Sequence, residues 1–363
     1  MECTRTHTPD WDEISFDAPP ATETCLVLAP ARGVVFAERV RAAGRLLAGR
    51  GLAVVRCEMF GPADHLPLFQ SALRDTAGTP LPCTWVVPHG AREAAGAITA
   101  VGGTPVTLNA VDGHAVAAAY RFDGDTWCSV SGLLPPDGAA DPEDQAAALF
   151  RTLEQALTGG GFQLTDLVRT WFFLDLILAW YGPFNTVRTT LYRERGFAGG
   201  RLPASTGIGA ANPAGRTLTA AALAVRSPDP GRPRQIASPR QCAATRYGSS
   251  FSRAMAVGRK LFISGTAGIA ADGTTDHPGD PAGQVACTME AVAAIAAQAG
   301  TRLSETIRGV VYWTDERTLP LFGDWCRAHA AAGLPVVTAR TDICRSDLLF
   351  EIELDLLLPK TGA

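Results

Sequence analysis

Asp280-Pro281-Ala282-Gly283-Gln284, and further on Leu303-Ser304-Glu305-Thr306-Ile307-Arg308, restate a pattern laid down earlier as Asp141-Pro142-Glu143-Asp144-Gln145 and Leu164-Thr165-Asp166-Leu167-Val168-Arg169. The same number of residues separates Gln145 from Arg169 and Gln284 from Arg308. Each Asp-Pro pair reads as an N-cap with proline at the first helical position. Helical periodicity follows in Leu149, Leu153 and Leu157, and again in Val285, Met289, Val292 and Ile295. Both helices stop at glycine, at Gly159 to Gly161 and at Gly300. Apolar strands Thr170 to Leu174 and Gly309 to Trp313 come next. A register kept across a helix and a strand marks an internal repeat rather than chance.

The repeat extends in both directions. Upstream, Trp127-Cys128-Ser129-Val130-Ser131-Gly132 matches Leu261-Phe262-Ile263-Ser264-Gly265, each an apolar strand ending in Ser-Gly. Downstream, each copy predicts a second helix (Pro183 to Arg195; Pro320 to Ala331), then Leu202-Pro203 or Leu334-Pro335, then two strands. Strands, helix, strand, helix and a strand pair describe an α+β layer with helices on one sheet face. A partial copy is expected at the start, where Val40 to Arg50 reads as a helix, Gly51 to Cys57 as a strand, and Leu66-Pro67-Leu68-Phe69 as entry to a second helix. The Pro/Gly-rich stretch Ser227-Pro228-Asp229-Pro230-Gly231-Arg232-Pro233-Arg234 reads as a linker. The expected division is an N-terminal domain at 1–226, best matched over 127–225, a linker at 227–239 and a C-terminal domain at 240–363.

Composition sets the class. The 363 residues allow two or three units. Apolar residues make up 47% and charged residues 19%, and the apolar runs fall short of the ~18 residues a membrane helix needs. No apolar h-region follows Met1, so a cytoplasmic location is expected. The nine cysteines show no CxxC pair and are odd in number, which favours reduced thiols. A net charge of −4 gives no electrostatic footprint for nucleic acid. The histidines lack HxxxH and HxH spacing, Gly207-Ile208-Gly209 lacks the third glycine of a dinucleotide fingerprint, and neither a P-loop nor a Gly-x-Ser-x-Gly elbow is present. No cofactor or metal is expected.

Tyr247-Gly248-Ser249-Ser250-Phe251-Ser252-Arg253-Ala254, Ile263-Ser264-Gly265 and Phe350-Glu351-Ile352-Glu353-Leu354 resemble the signature elements of the RidA/YjgF superfamily. More narrowly, Trp180-Tyr181-Gly182-Pro183-Phe184-Asn185-Thr186-Val187-Arg188, Pro203-Ala204-Ser205-Thr206-Gly207-Ile208-Gly209 and Ile343-Cys344-Arg345-Ser346-Asp347-Leu348-Leu349-Phe350-Glu351 resemble the chorismatases. That resemblance implies tandem RidA/YjgF-like (chorismate mutase-like) units, mixed sheets with helices packed on one face, a pseudo-trimeric arrangement and a ligand cleft between copies. It also implies chorismate as substrate, cleaved to pyruvate and 3-hydroxybenzoate by a monomer or weak homo-oligomer. Ordinary RidA deaminases carry an arginine just after the proline that opens the penultimate strand, where this chain has Val336 and Val337, so imine deamination is disfavoured.

Cleaving an enol ether needs a general acid. Glu351 interrupts an apolar run, and burial there raises a carboxyl pKa. Pattern alone equally allows Glu351, Glu353 and Asp355 to form the solvated face of an edge strand; the resemblance favours the acid. Thr219-Ala220-Ala221 occupies the matching place in the earlier copy without a carboxylate.

A substrate with two carboxylates needs clustered cations or donors. Asn185, Arg188, Tyr192 and Arg195 recur on one helix face beside the apolar stripe Phe184, Val187 and Leu191; an anion grip and a solvent-facing polar side both fit. Tyr181, Ser205, Thr206, Gly207, Tyr247, Arg253 and Ser264 complete the expected binding set, with Arg253 equally readable as an exposed strand residue. Cys344, expected on the partner strand of a hairpin with Glu351, is the second catalytic candidate. The resemblance associates a cysteine there with the 3-hydroxybenzoate branch, as against hydrolysis to a trans-dihydroxycyclohexadiene carboxylate. A buried structural thiol is the other reading, and a non-catalytic protein holding a small acid stays open as a second class.

Overall fold

The computed structural model describes residues 3–77, 81–137, 141–197 and 200–359. Strands β1 (Cys3–His7), β2 (Trp11–Ala18) and β3 (Ala21–Ala31) lead into helix α1 (Gly33–Gly49), strand β4 (Ala53–Phe60), helix α2 (Leu66–Ala77) and strands β5 (Cys83–Val86) and β6 (Ala94–Gly102). The same order follows in β7 (Val106–Val111), β8 (His114–Phe122), β9 (Asp125–Leu133), α3 (Pro142–Gly159), β10 (Leu167–Leu174), α4 (Ile177–Glu194), β11 (Ala204–Gly209) and β12 (Leu218–Arg226). It returns in β13 (Pro233–Ile236), β14 (Ala254–Val257), β15 (Lys260–Ala267), α5 (Pro281–Gln298), β16 (Thr306–Trp313), α6 (Thr318–Ala328), β17 (Val336–Arg340) and β18 (Phe350–Leu357).

The chain therefore holds three complete copies, and the N-terminal one expected to be partial is whole. Its signals were hidden because Arg32 stands at the N-cap of α1 with no side-chain cap. In the later copies Asp141 accepts from the Glu143 N–H at 2.8 Å and Asp280 from the Ala282 N–H at 3.0 Å, caps worth ~1 kcal/mol each.

Two compact units emerge: Met1–Asp166 with Ala211–Pro228, and Leu167–Ala210 with Asp229–Ala363. One cut falls in the Pro/Gly-rich stretch, while Leu167–Ala210, grouped by sequence with the N-terminal part, clusters with the C-terminal copy. The first unit contains the sheet β1-β2-β3-β6-β4-β5 and the strands β12-β9-β8-β7. The second contains the parallel pair β10–β11 and the sheet β13-β14-β15-β18-β16-β17. Among the described residues no helix is long and apolar enough to cross a membrane.

In the second unit, β18 lies between β15 and β16, antiparallel to both, and all its residues are buried. Phe350, Ile352, Leu354 and Leu356 join Met289, Val292 and Phe322 of the helices in the core. Strand alternation then sends Glu351, Glu353 and Asp355 to the opposite face, which corrects the reading of that face as a solvated edge. Strand β17 pairs with β16, parallel, rather than with β18, so Cys344 lies on the connection between β17 and β18 and not on a hairpin strand.

The repeated glutamine has a structural task. The Gln284 side chain donates to the Asp347 carbonyl at 2.8 Å and accepts from the Leu349 N–H at 2.8 Å, tying the start of α5 to the chain entering β18. Gln145 accepts from the Thr217 N–H at 3.1 Å just before β12. Helix α4 departs from expectation: it starts at Ile177, after Leu176 in the left-handed region (φ 53°), and carries Pro183 inside. Its buried face is Ile177, Trp180, Phe184, Asn185, Arg188 and Tyr192, so the polar stripe is the inward side and Val187 and Leu191 are only half-buried. Helix α6 is also shorter than the predicted Pro320 to Ala331.

Candidate active site

A cavity of about 200 Å³ lies within the second unit, lined among others by Tyr181, Ser205, Arg253, Cys344, Arg345 and Glu351. Three local devices bring these residues together. The backbone N–H of Ser205 donates to Ser264 Oγ at 2.9 Å, and that hydroxyl donates to the Ser252 carbonyl at 2.6 Å. Gly209 exchanges backbone hydrogen bonds with Asp342 at 2.8 and 3.1 Å, which anchors the chain two residues before Cys344. The Gly265 N–H donates to Thr206 Oγ1 at 3.0 Å. Strand β11 and the second half of β15 thus form one wall, and the chain from Asp342 to Glu351 forms another.

Glu351 is 5% exposed. Burial and then the neighbouring Glu353 push its carboxyl up to about 8, against the opposing pull of Arg169 and Arg253; it is a neutral donor near neutral pH. A Cβ at Gly265 would stand 2.1 Å from Glu351 Oε1, so the absence of a side chain there makes the carboxyl's berth. Gly207 plays a similar part for Tyr181, whose ring would lie 3.1 Å from an added Cβ. Tyr181 stacks on Phe184 at 6.2 Å. The half-buried Cys344 thiol is pushed up to about 12 by burial and then by Glu351. It is an S–H group at neutral pH rather than a thiolate nucleophile.

The cations divide. Arg253, 4% exposed, sends Nε and Nη2 to the Cys242 carbonyl at 2.9 and 2.8 Å; it is a buried pocket residue rather than an exposed strand residue. Arg345, which sequence reading did not select although it stands inside the motif ending at Glu351, lines the pocket and donates to the Gly273 carbonyl at 2.9 Å. Arg188 is fully buried, bonded to Asn185 Oδ1 and to Ser205 Oγ at 3.2 Å, and sits over Phe184 at 5.5 Å. No carboxylate pairs with it among the described residues. Its partners Asn185 and Ser205 line the cavity, and Arg188 stands behind them.

Other expected residues fall outside the lining. Tyr192 is buried against Phe197 at 4.4 Å, its hydroxyl pushed up to about 12 by burial. Arg195 is exposed at the end of α4, one turn beyond the buried face. Thr206 and Ser264 are buried and bonded to the framework. The Tyr247 side chain lies outside the described residues. Sequence reading missed Ser249, Phe251, Ala267 and Ile269, which line the cavity from loops and strand ends with no periodic signal.

Behind Glu351 lies a buried charge cluster. Glu353 accepts from Arg169 Nη2 at 2.7 Å, Arg308 Nη2 at 2.6 Å and Trp171 Nε1 at 2.9 Å, with the Thr206 hydroxyl a further donor. Arg308 Nη1 also reaches Asp355 at 3.0 Å. Arg169 and Arg308 are the repeated arginines of the sequence.

No protein-family model matches the chain. A 3-hydroxybenzoate synthase from Streptomyces hygroscopicus is 29% identical over 267 residues, 64% of this chain and 74% of that protein. A chorismatase from the same organism is 31% identical over 237 residues, 58% of this chain and 66% of that protein. A chorismatase crystal structure superposes with a TM-score of 0.63 at 25% identity, covering 84% of this chain and 92% of the other. Fold and site together define an α+β protein of repeated units with a buried carboxyl in its pocket. In sequence and in fold the chain is similar to the chorismatases.

Proposed function

We propose that the protein converts chorismate, releasing pyruvate, with Glu351 as general acid. The observation that carries this reading is a neutral, buried carboxyl in a small pocket that also holds Arg253 and Arg345. Protonation of the enolpyruvyl methylene carbon by Glu351 creates an oxocarbenium ion, and a positioned acid is worth ~10²–10⁴ in rate. The guanidinium groups and the Tyr181 hydroxyl orient the anionic substrate. The names of the relatives and the superposed chorismatase agree with this chemistry. Incubating the purified protein with chorismate and assaying pyruvate tests it; no release above the uncatalysed background ends the proposal.

The product assigned is 3-hydroxybenzoate. The substrate's own ring hydroxyl captures the cation, so no water enters, and pyruvate and 3-hydroxybenzoate together hold every atom of chorismate. Cys344, an uncharged thiol beside Glu351, occupies space that a water would need in the hydrolytic alternative. Replacing Cys344 with alanine is expected to divert product toward the dihydroxycyclohexadiene carboxylate while pyruvate release stays of the same order. Chromatography of the reaction mixture reads the ratio, and an unchanged product would remove the thiol from this role.

The pH dependence follows from the acid's state. Catalysis needs protonated Glu351, so kcat is expected to fall as pH rises through about 8. An alkaline limb near the ordinary carboxylate range would contradict the assignment.

A further inference from the structure

We propose that Glu353, pinned between the guanidinium groups of Arg169 and Arg308, is a positioning residue: a fixed negative charge that keeps the neighbouring Glu351 carboxyl neutral. The inference rests on the reading of Glu351 as the acid and adds what holds it in that form. Glu353 is fully buried on the same strand face two residues along, and both its oxygens are occupied by arginine and tryptophan donors. Turning this carboxylate away would break the ion pair of the buried Arg169 and leave Arg308 with Asp355 alone.

Charge counting points the same way. Arg169 and Arg308 face Glu353 and Asp355, two positive groups against two negative ones. An ionised Glu351 would add a negative charge with no partner of its own in that set. Arg169 and Arg253 pull Glu351 toward ionisation, yet the first is bonded to Glu353 and the second to the Cys242 carbonyl. Tyr312 stands opposite it on β16 and Ala267 on β15. Cys344 is an uncharged thiol, Arg253 is turned onto the Cys242 carbonyl, Arg345 onto the Gly273 carbonyl, and Tyr181 is stacked on Phe184. The upward shift of Glu351, with Glu353 its second cause after burial, agrees. The matching strands of the other copies carry Ala95 and Ala97, and Thr219 and Ala221, in place of the two glutamates; acid and anchor occur together.

The test is an infrared titration of the carboxyl band that Glu351→Gln abolishes, made on the full chain and on Glu353→Gln. The band is expected to titrate lower in Glu353→Gln by about one pH unit or more, with the alkaline limit of pyruvate release following it. Asp355→Asn, which also loosens Arg308 but lies farther from Glu351, should move the band less. A band titrating at the same pH in wild type and Glu353→Gln overturns the proposal, whatever stability is lost. Should Glu353→Gln fail to fold, Glu353→Asp moves the charge by one methylene and is read on the same scale; an unmoved band there likewise overturns it. A wild type inert toward chorismate would sink the activity reading alone, since the titration needs no turnover.

Discussion

Glu351→Gln should cut pyruvate release from chorismate by at least ~10²-fold while leaving the fold intact. The amide fits the same berth beside Gly265 and can still donate a hydrogen bond, but it has no proton to deliver to carbon. Stability should move the other way. The folded carboxyl, at about 8 against an ordinary 4.5, binds a proton that the unfolded chain has released, so its contribution is present in full below 4.5 and lost as pH rises through about 8. The amide escapes that loss. Thermal unfolding at pH 9 is therefore expected to show a higher midpoint for the variant than for wild type, whereas at pH 4 the two should agree. Full pyruvate release by the variant would remove Glu351 from the role of general acid.

The second large effect is expected from Gly265→Ala. The new methyl group would fall 2.1 Å from Glu351 Oε1 and 3.2 Å from Thr206 Cγ2. The side-chain end of Glu351 yields more readily than the backbone, so the protein should fold while its acid is displaced by an ångström or so. Misplacement on that scale costs ~10²-fold in rate. The loss should appear in kcat with KM little changed, because Arg253 and Arg345, the residues proposed to hold substrate, are untouched. Near-normal kcat would mean that the present position of the carboxyl is not the reactive one.

Much of the architecture could be read from local signals. The Asp-Pro helix starts, the glycine stops and the spacing from Gln to Arg located two copies, and Gln284 and Gln145 turn out to clamp the chain before the last strand of each. Glu351 is singled out by the family resemblance, because a carboxylate inside an apolar run equally fits a solvated strand face. The first copy was underestimated because α1 has no capping side chain, and α4 was started late because Pro183 looked like a first-turn proline. The inward face of α4 was misassigned for a deeper reason. Arg188 and Tyr192 are polar by type, yet aromatic rings and an amide make them buried residues, and no periodicity distinguishes a solvated polar stripe from an internal one.

What the sequence determined by itself was the repeat and the element types, since backbone preferences and apolar spacing act over a few residues. Tertiary structure decided that β18 is central rather than an edge, that β17 lies on the far side of β16, and that Arg169 and Arg308 converge on Glu353. Those outcomes depend on pairing between segments remote in the chain. What surrounds a buried carboxyl in space decides its chemistry: Glu353 is held by Arg169 and Arg308, whereas Glu351, two residues away on the same face, lines the cavity.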